Sequence, residues 1–474
     1  MGQPTPKIFQ TGAMKMEKGR GVDKSLGWGD TSAAQPLGAL DAFPYLNFGT
    51  SVTINNEEDQ SVTTKAFKTT PRMVGKMIEN PLSFNGRFAG LNAFYYWMFG
   101  WENPAVPVIV FKAGEDPFVQ DGDPRAPEVG ETYQYEWDDD GTPAFVDLVF
   151  VRIESSRTDK YYVFSVDPDE VGHITQEGTA SFTPPAEDPV VFTFTSHSAA
   201  MFEHLYELDA SGRRYREYNT VEATILDDLI DEGDRKNLMT TLGKRMSQYD
   251  IRYANSMIQD FGYKFEAAGL AEWEGNFKAY LEERGDYASE TWTLKPGLCD
   301  GQLTPAHFEH RFFIGPMDSV GMENGELSGL DELAASSFNL AVGIPLQVLQ
   351  DTVSGLSIAE PELEGKYDIS LTGTISRHTS QTYQQYRDSQ ERVCAYLSAH
   401  QGWYMQEFMI KEAVISEAGP DDGDMAAEPL NLSAGFVCSE THPFSDWVGM
   451  SEAQQSPVVY RVRDFNPITE MVRF

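Results

Sequence analysis

His307-Phe308-Glu309-His310 places two histidines three residues apart beside a carboxylate, the nearest this chain comes to a metal-ligand pattern. A helical zinc site sets its histidines four apart around a glutamate and takes a third ligand from elsewhere; neither feature is present. The acidic clusters Asp138–Asp140, Asp227/Asp228/Asp231 and Asp421/Asp422/Asp424 lack the alternating ligands and distal glutamate of a calcium loop, so they read as solvated turns. No Gly-x-Ser-x-Gly elbow, phosphate-cradling Gly-Lys-Ser/Thr loop or dinucleotide fingerprint occurs. Paired glycosidase carboxylates need only ~5–10 Å separation in space, which 73 acidic residues can supply without a sequence signature. A carbohydrate-active β-sandwich is therefore one alternative. The leading expectation is a protein that is not an enzyme, with no catalytic residues, metal or cofactor.

The elements that would carry any site come next. A chain of 474 residues with 41% hydrophobic and 12% aromatic residues can pack two or three cores. Gly 40 and Pro 26 punctuate many short segments, which favours β-rich domains. Asp+Glu 73 against Lys+Arg 36 gives a formal charge of −37, a surface that repels nucleic-acid phosphates and anionic membranes. Cys299, Cys394 and Cys438 are far apart and odd in number, as in a protein made in a reducing compartment. No apolar run reaches the ~18 residues of a membrane span, and the N-terminus has no secretory pattern. A soluble product made in a cytoplasm, with no membrane partner, is expected.

Residues 1–40 read as an N-terminal arm. A strand is predicted from Tyr45 to Ile54, then a polar loop from Asn55 to about Asn80. PLSFNGRF (81–88) alternates apolar and polar as a half-buried strand, and LNAFYYWMFG suits a short buried helix ended by Gly100. Between 103 and 200, proline-bounded apolar runs alternate with acidic turns, which predicts a small inserted β domain. Helix is predicted over 222–247 and again over 379–399. Strands are predicted at 336–344 and in KYDISLTGTI (366–375), and hairpins close each half. Residues 443–474 read as a C-terminal arm.

The two halves resemble each other. LSFNGRF (82–88) matches ISLTGTI (369–375), MIQDFGYKFEAAG (257–269) matches MIKEAVISEAG (409–419), and Asn276-Phe277-Lys278-Ala279 matches Asn431-Leu432-Ser433-Ala434. A rival alignment of EGNFKAYL (274–281) with EGKYDISL (364–371) is incompatible with the first. The first keeps strand, long loop, strand with helix, and closing hairpin in one order, the first copy carrying the insertion.

A strand near FGTSVTIN, a long charged loop, PLSFNGRF, LNAFYYWMFG, FEHLYEL and the hairpin IQDFGYKFEAAGL…FKAYL together resemble the tube proteins of long-tailed phages. The resemblance covers about 45–101, 190–290 and 335–445; the insertion departs from the simplest members. It implies a mainly β fold of two tandem tail-tube-type β-sandwich domains, each with a packed helix, plus the inserted small β domain. The corresponding boundaries are 1–40 arm, 41–102 and 191–295 first domain, 103–190 insert, 296–334 linker, 335–445 second domain and 446–474 arm. It implies a virion tail protein that partners itself in stacked rings and meets other tail proteins, while DNA passes without specific binding. Two domains per chain imply a trimeric ring with pseudo-sixfold symmetry, with a hexamer as the alternative. The polar faces Glu272, Glu274, Lys278 and Glu282, and Asp368, Ser370, Thr372 and Thr374, are the candidate lumen lining; solvated outer faces remain the other reading. Glu57, Glu58, Asp59, Lys65, Lys68 and Arg72 are the candidates for contact with a neighbouring ring or subunit. A capsid decoration or adhesin is the other non-enzyme class.

Overall fold

The computed structural model describes residues 11–16, 37, 42–50, 52–57, 72–118, 128–139, 142–173, 181–183, 192–208, 238–246, 249–285, 292, 294, 298, 303–347, 362–363, 367–377, 388–418, 428–434, 442–449 and 456–467. They are mainly β. The first half holds β1 (Gly12–Met16), β2 (Ala42–Phe43), β3 (Asn47–Phe48), β4 (Val52–Glu57), β5 (Arg72–Asn85), helix α1 (Asn92–Phe99) and β6 (Gly100–Glu102). The insert holds β7 (Val106–Phe118), β8 (Thr132–Asp139), β9 (Thr142–Ser155), β10 (Lys160–Val166), β11 (Ser181–Thr183) and β12 (Phe192–His197). The chain returns through β13 (Met201–Leu208), β14 (Thr240–Arg245), β15 (Asp250–Glu266) and β16 (Glu272–Gly285). The second half holds β17 (His310–Pro316), β18 (Gly321–Glu323), β19 (Glu326–Ser328), β20 (Asp331–Gly343), β21 (Leu346–Gln347), β22 (Glu362–Leu363) and β23 (Asp368–Arg377). It ends with β24 (Arg392–Gln401), β25 (Tyr404–Ala418), β26 (Glu428–Ala434), the one-turn helix α2 (Ser445–Val448) and β27 (Val458–Asp464).

The pairings curl the strands into three closed circuits. One runs β5–β16–β15–β14–β1–β2 and returns to β5 through β3, the bent segment 42–48 serving both edges. A second runs β20–β23–β26–β25–β24–β17 and back to β20. The insert forms the third, β7–β10–β9–β8–β11–β12 and back to β7. The first two share a seam where β15 pairs with β20, and one apolar core runs through both. The insert has its own core around Phe111, Phe150 and Phe164.

Helix α1 forms where expected. Its aromatics are buried on nearly all sides, and Gly100 ends it at φ 92°, a left-handed conformation that glycine adopts without strain. The expected helix over 379–399 is cut short: Asp388 and Ser389 are helical, but β24 occupies Arg392–Gln401, and 379–387, with Tyr383 and Tyr386, lie outside the described residues. Val393 to His400 are all buried, so both faces of this strand meet the interior and the period-two signal is lost; a two-sided run imitates a helical stripe. Likewise 240–245 of the expected 222–247 helix is strand β14, while 222–237 lies outside the described residues.

Four expected loops and arms also hold structure. Both ends of the expected 55–80 loop, 55–57 and 72–80, are strand, β4 and β5 pairing in register as far as Glu57 opposite Arg72, while 58–71 lies outside the described residues. The N-terminal arm contains β1, and the 296–334 linker contains β17 and the start of β20. The C-terminal arm contains β27, buried throughout and paired with β13 on one side and β25 on the other. Short polar-flanked strands of this kind carry little periodicity of their own; their partners supply the reason to be extended.

The two halves repeat one topology. β4–β5–β16–β15 and β20–β23–β26–β25 are both antiparallel and paired in the same order. Each has a bulge at the corresponding place: Ile258 to Asp260 faces Phe277–Asn276, and Ile415 to Glu417 faces Leu432–Asn431. The match of Asn276–Ala279 to Asn431–Ala434 therefore coincides with the hydrogen-bond register. The match of Leu82 to Ile369 does not: Pro81 sits opposite Asn276 and Thr372 opposite Asn431, so register aligns Leu82 with Gly373, four residues away. The Met257–Met409 match slips too, since the bulges align Ile258 with Ile415.

Candidate functional site

The seam between β15 and β20 turns two separate polar faces into one. Residues directly opposite in antiparallel strands project to the same side. One row reads Asn85, Glu272, Lys264, Asn339, Thr372 across β5, β16, β15, β20 and β23. The next reads Ser83, Glu274, Gly262, Ala341, Ser370, and a third Pro81, Asn276, Asp260, Gly343, Asp368. Thr374 continues the face opposite Ser337, and Lys278 continues it opposite Glu79. Apart from Glu282, the candidate residues of both halves thus lie on one continuous sheet surface. The reverse side carries Trp273, Phe277, Phe261, Tyr263, Phe338, Leu340, Ile369 and Leu371, all in the core.

Charges on this surface are tethered to one another. Lys264 Nζ donates to Glu274 and lies 3.8 Å from Glu272; the Glu274 bond raises the Lys264 pKa, with burial opposing it. Lys278 Nζ donates to Glu79 at 2.8 Å, and its own side chain is only 6% exposed. Asn276 donates through both its backbone and its amide to Asp260, at 3.0–3.1 Å. Burial nevertheless raises the Asp260 carboxyl pKa, the Asn276 bonds offsetting part of the effect. Glu79, Asp260, Glu272, Glu274 and Asp368 face only Lys264 and Lys278 here, so the surface is acidic as well as polar.

Glu282 departs from this group. It sits opposite Tyr253, a core residue, and its side chain is 5% exposed and accepts from Arg284 at 2.6 Å. Of the residues expected at a neighbour contact, Glu57 and Arg72 are backbone partners in the register of β4 and β5, whereas Glu58, Asp59, Lys65 and Lys68 lie outside the described residues. Lys264, Asp260 and Glu79 were missed by the sequence reading. The spacing Asp260, Gly262, Lys264 is a period-two signal, but the bulge before Asp260 breaks its phase.

The histidine motif is a fastener. His310 Nδ1 bonds Ala306 O at 2.8 Å, its Nε2 lies 2.7 Å from the Tyr263 hydroxyl, and its ring stacks on Phe265. Burial pulls its pKa down to about 4. Glu309 accepts from Ala306 N–H at 2.7 Å, and His307 Nδ1 accepts from Ala268 N–H at 3.2 Å. Among the described residues no group of three His, Cys, Asp or Glu is placed to hold a metal. Asp138 and Asp139 belong to β8, while Asp140 and the other two acidic clusters lie outside the described residues. Cys394 is a buried free thiol, and Cys299 and Cys438 lie outside the described residues.

A second cluster of charge is internal. Arg152 and Glu154 of β9, Glu203 of β13, Glu407 of β25, and Arg461 and Arg463 of β27 are all buried and joined. Arg463 donates to Glu154 at 2.8 and 3.1 Å, to Glu203 at 3.1 Å and to Trp403 O at 2.9 Å. Arg461 donates to Glu407, and Arg152 to Glu154 and Glu203. Burial would push the Glu154 carboxyl up, but the Arg463 and Arg152 guanidiniums hold it well below the usual range. With no accessible carboxylate and no free donor facing solvent, this arrangement joins the insert to the central strands and offers a ligand nothing.

A search against protein-family models finds no match, and no curated protein matches the chain at a significant level.

Proposed function

We propose that this chain is a structural subunit of a tube, of the phage-tail type, whose copies form stacked rings with the continuous polar sheet surface turned to the bore. The observation that carries this reading is the fusion of two topologically repeated units into one sheet, polar on one side across five strands and apolar on the other. A bore for DNA must be wet and must not bind phosphate. Five carboxylates against two ammonium groups on the rows described, within a chain of net charge −37, meet that requirement through like-charge repulsion. The repeated unit makes a trimer of two-unit chains the ring expected, and the insert, having its own core, belongs on the outside where it leaves the bore open.

Negative-stain microscopy of the purified chain tests the reading. Rings or striated tubes with an open axial channel are expected; a chain that stays monomeric at high concentration and on tail initiators overturns it. The double variant Glu272→Lys/Glu274→Lys, assembled as tubes, is expected to retain duplex DNA at low salt and release it steeply as salt rises. Unchanged DNA retention would show that the surface lies elsewhere than the bore.

A further inference from the structure

The insert and the second unit enclose a cavity beside the buried charge cluster. Its floor is the sheet of β17 and β24, where Arg311 pairs with Ser398 and Phe313 with Tyr396, so these four side chains project to one side. One wall is the end of β9 at Ser155, and another is Trp447 of α2. The roof is the β18–β19 hairpin, through Glu326 and Leu327. The space inside is about 130 Å³.

The hairpin spans this space because it is fastened at both ends. Asn324 and Gly325 take positive φ, 52° and 81°, the tight turn that an Asn-Gly pair favours between two strands. At this tip Gly325 O accepts from Ile153 N–H at 2.7 Å, and Glu326 accepts from Lys160; both partners belong to the insert. At the base Ser319 Oγ lies 2.8 Å from Pro316 O and 2.9 Å from Gly329 O. Held at tip and base, the hairpin bridges the floor instead of settling onto it.

What the walls offer decides the occupant. The Tyr396 hydroxyl donates to Glu407 at 2.6 Å, and the Trp447 indole N–H donates to the same carboxylate at 3.3 Å, so both offer the cavity ring surface. Ser398 is 2% exposed, and among the described residues its hydroxyl has no hydrogen-bond partner. A buried hydroxyl in that state is satisfied only by something that enters the cavity. Arg311 uses three N–H donors on Glu332 and Ser155 O, which leaves two of a guanidinium's five for a ligand. Charge here is already balanced, Arg311 by Glu332 and Glu326 by Lys160, so a charged ligand finds no counter-ion. Size sets the rest, since an apolar cavity of about 150 Å³ admits one benzene ring. The occupant that fits is one neutral six-membered ring, with an apolar face and with hydroxyls at its edge. A plain arene would leave Ser398 unserved.

We propose that this cavity binds a single neutral pyranose, as presented by the end of a glycan chain. The C–H face of the sugar lies on the aromatic side chains, and its hydroxyls bond Ser398 Oγ and Arg311. No lining residue belongs to the polar rows of β5, β16, β15, β20 and β23, so the site stands or falls apart from the tube reading.

Saturation-transfer NMR of the full chain with the methyl glycosides of glucose, galactose, mannose and N-acetylglucosamine tests it, with phenol as the rival ring. At least one glycoside is expected to bind with a Kd on the order of millimolar, since one ring makes few contacts. Ser398→Ala is expected to weaken binding about fivefold, the worth of one hydrogen bond. Its melting temperature should not fall, because the hydroxyl removed has no partner in the protein, so lost binding there is not lost folding. Leu327→Trp, which fills the cavity from the hairpin, is expected to abolish binding. No glycoside binding at ~50 mM overturns the proposal, and so does binding of phenol alone. Glycoside binding that neither variant alters also overturns it, because the sugar is then held elsewhere.

Discussion

Arg463→Met removes the guanidinium that joins the C-terminal strand to the insert, and its cost can be worked from the contacts. Arg463 is 0% exposed and donates to Glu154, Glu203 and Trp403 O. Three guanidiniums and three carboxylates make up the cluster, so the variant leaves one buried negative charge without compensation. Removing one partner of a buried pair costs roughly 3–5 kcal/mol. At roughly 2–4 °C per kcal/mol for a cooperative unit of 150–250 residues, that is a fall of about 6–20 °C in the melting temperature. Acid supplies the internal control. The Glu154 pKa is held low in the folded protein, so its contribution is present above the unfolded carboxylate value and is lost as pH falls. Without Arg463, burial acts with less opposition and the carboxyl takes up a proton more readily. The gap between variant and wild type should therefore narrow as pH falls toward 4. Adding Glu154→Gln to Arg463→Met should recover part of the loss at neutral pH. Thermal unfolding across that pH range is the assay; a loss under ~1 kcal/mol, or a gap that acid leaves unchanged, refutes the argument.

His204 supplies a second pH dependence, of opposite sign. Burial alone would lower its pKa, but bonds to Asp464 and to Glu102 (2.9 Å) raise it to about 10. The stabilisation is complete below the ordinary value near 6.5 and is lost as pH rises through 10. By 1.36 kcal/mol per unit it is worth at most about 5 kcal/mol. Stability should thus decline in alkali, with a shallower decline in His204→Phe; equal shifts of the urea midpoint between pH 7 and 10 in variant and wild type would count against the pair. Gly262→Val places a side chain where a Cβ would meet Leu340 O at 2.8 Å, across the seam of β15 and β20. Overpacking of this kind costs about 1–3 kcal/mol, and amide exchange should rise along β20 while the insert stays protected. Uniform protection would refute that placement.

What the sequence made legible was local and one-sided. LNAFYYWMFG ends at a glycine and forms its helix, and the strands of the polar surface alternate because one side meets the core and the other does not. Val393 to His400 failed the same test because both sides are buried and alternation vanishes. β27 gave no signal as a central strand, since Arg461 and Arg463 belong in an interior only once Glu154, Glu203 and Glu407 are beside them, and Asp464 only beside His204. Those partners lie far away in sequence, so a reading along the chain meets them as surface charge.

The slip of four residues between LSFNGRF and ISLTGTI has a physical origin that bears on every argument from the repeat. An alternating strand looks like itself at any even shift, so residue similarity fixes which side faces the core and leaves the axial position free. A bulge cannot slide in this way, because two residues must oppose one at a definite place in the ladder. The bulges at Ile258–Asp260 and Ile415–Glu417 are therefore the reference marks of the repeat, and the apolar matches are not. Counting from those marks is what brings Leu82 onto Gly373 and Ile258 onto Ile415.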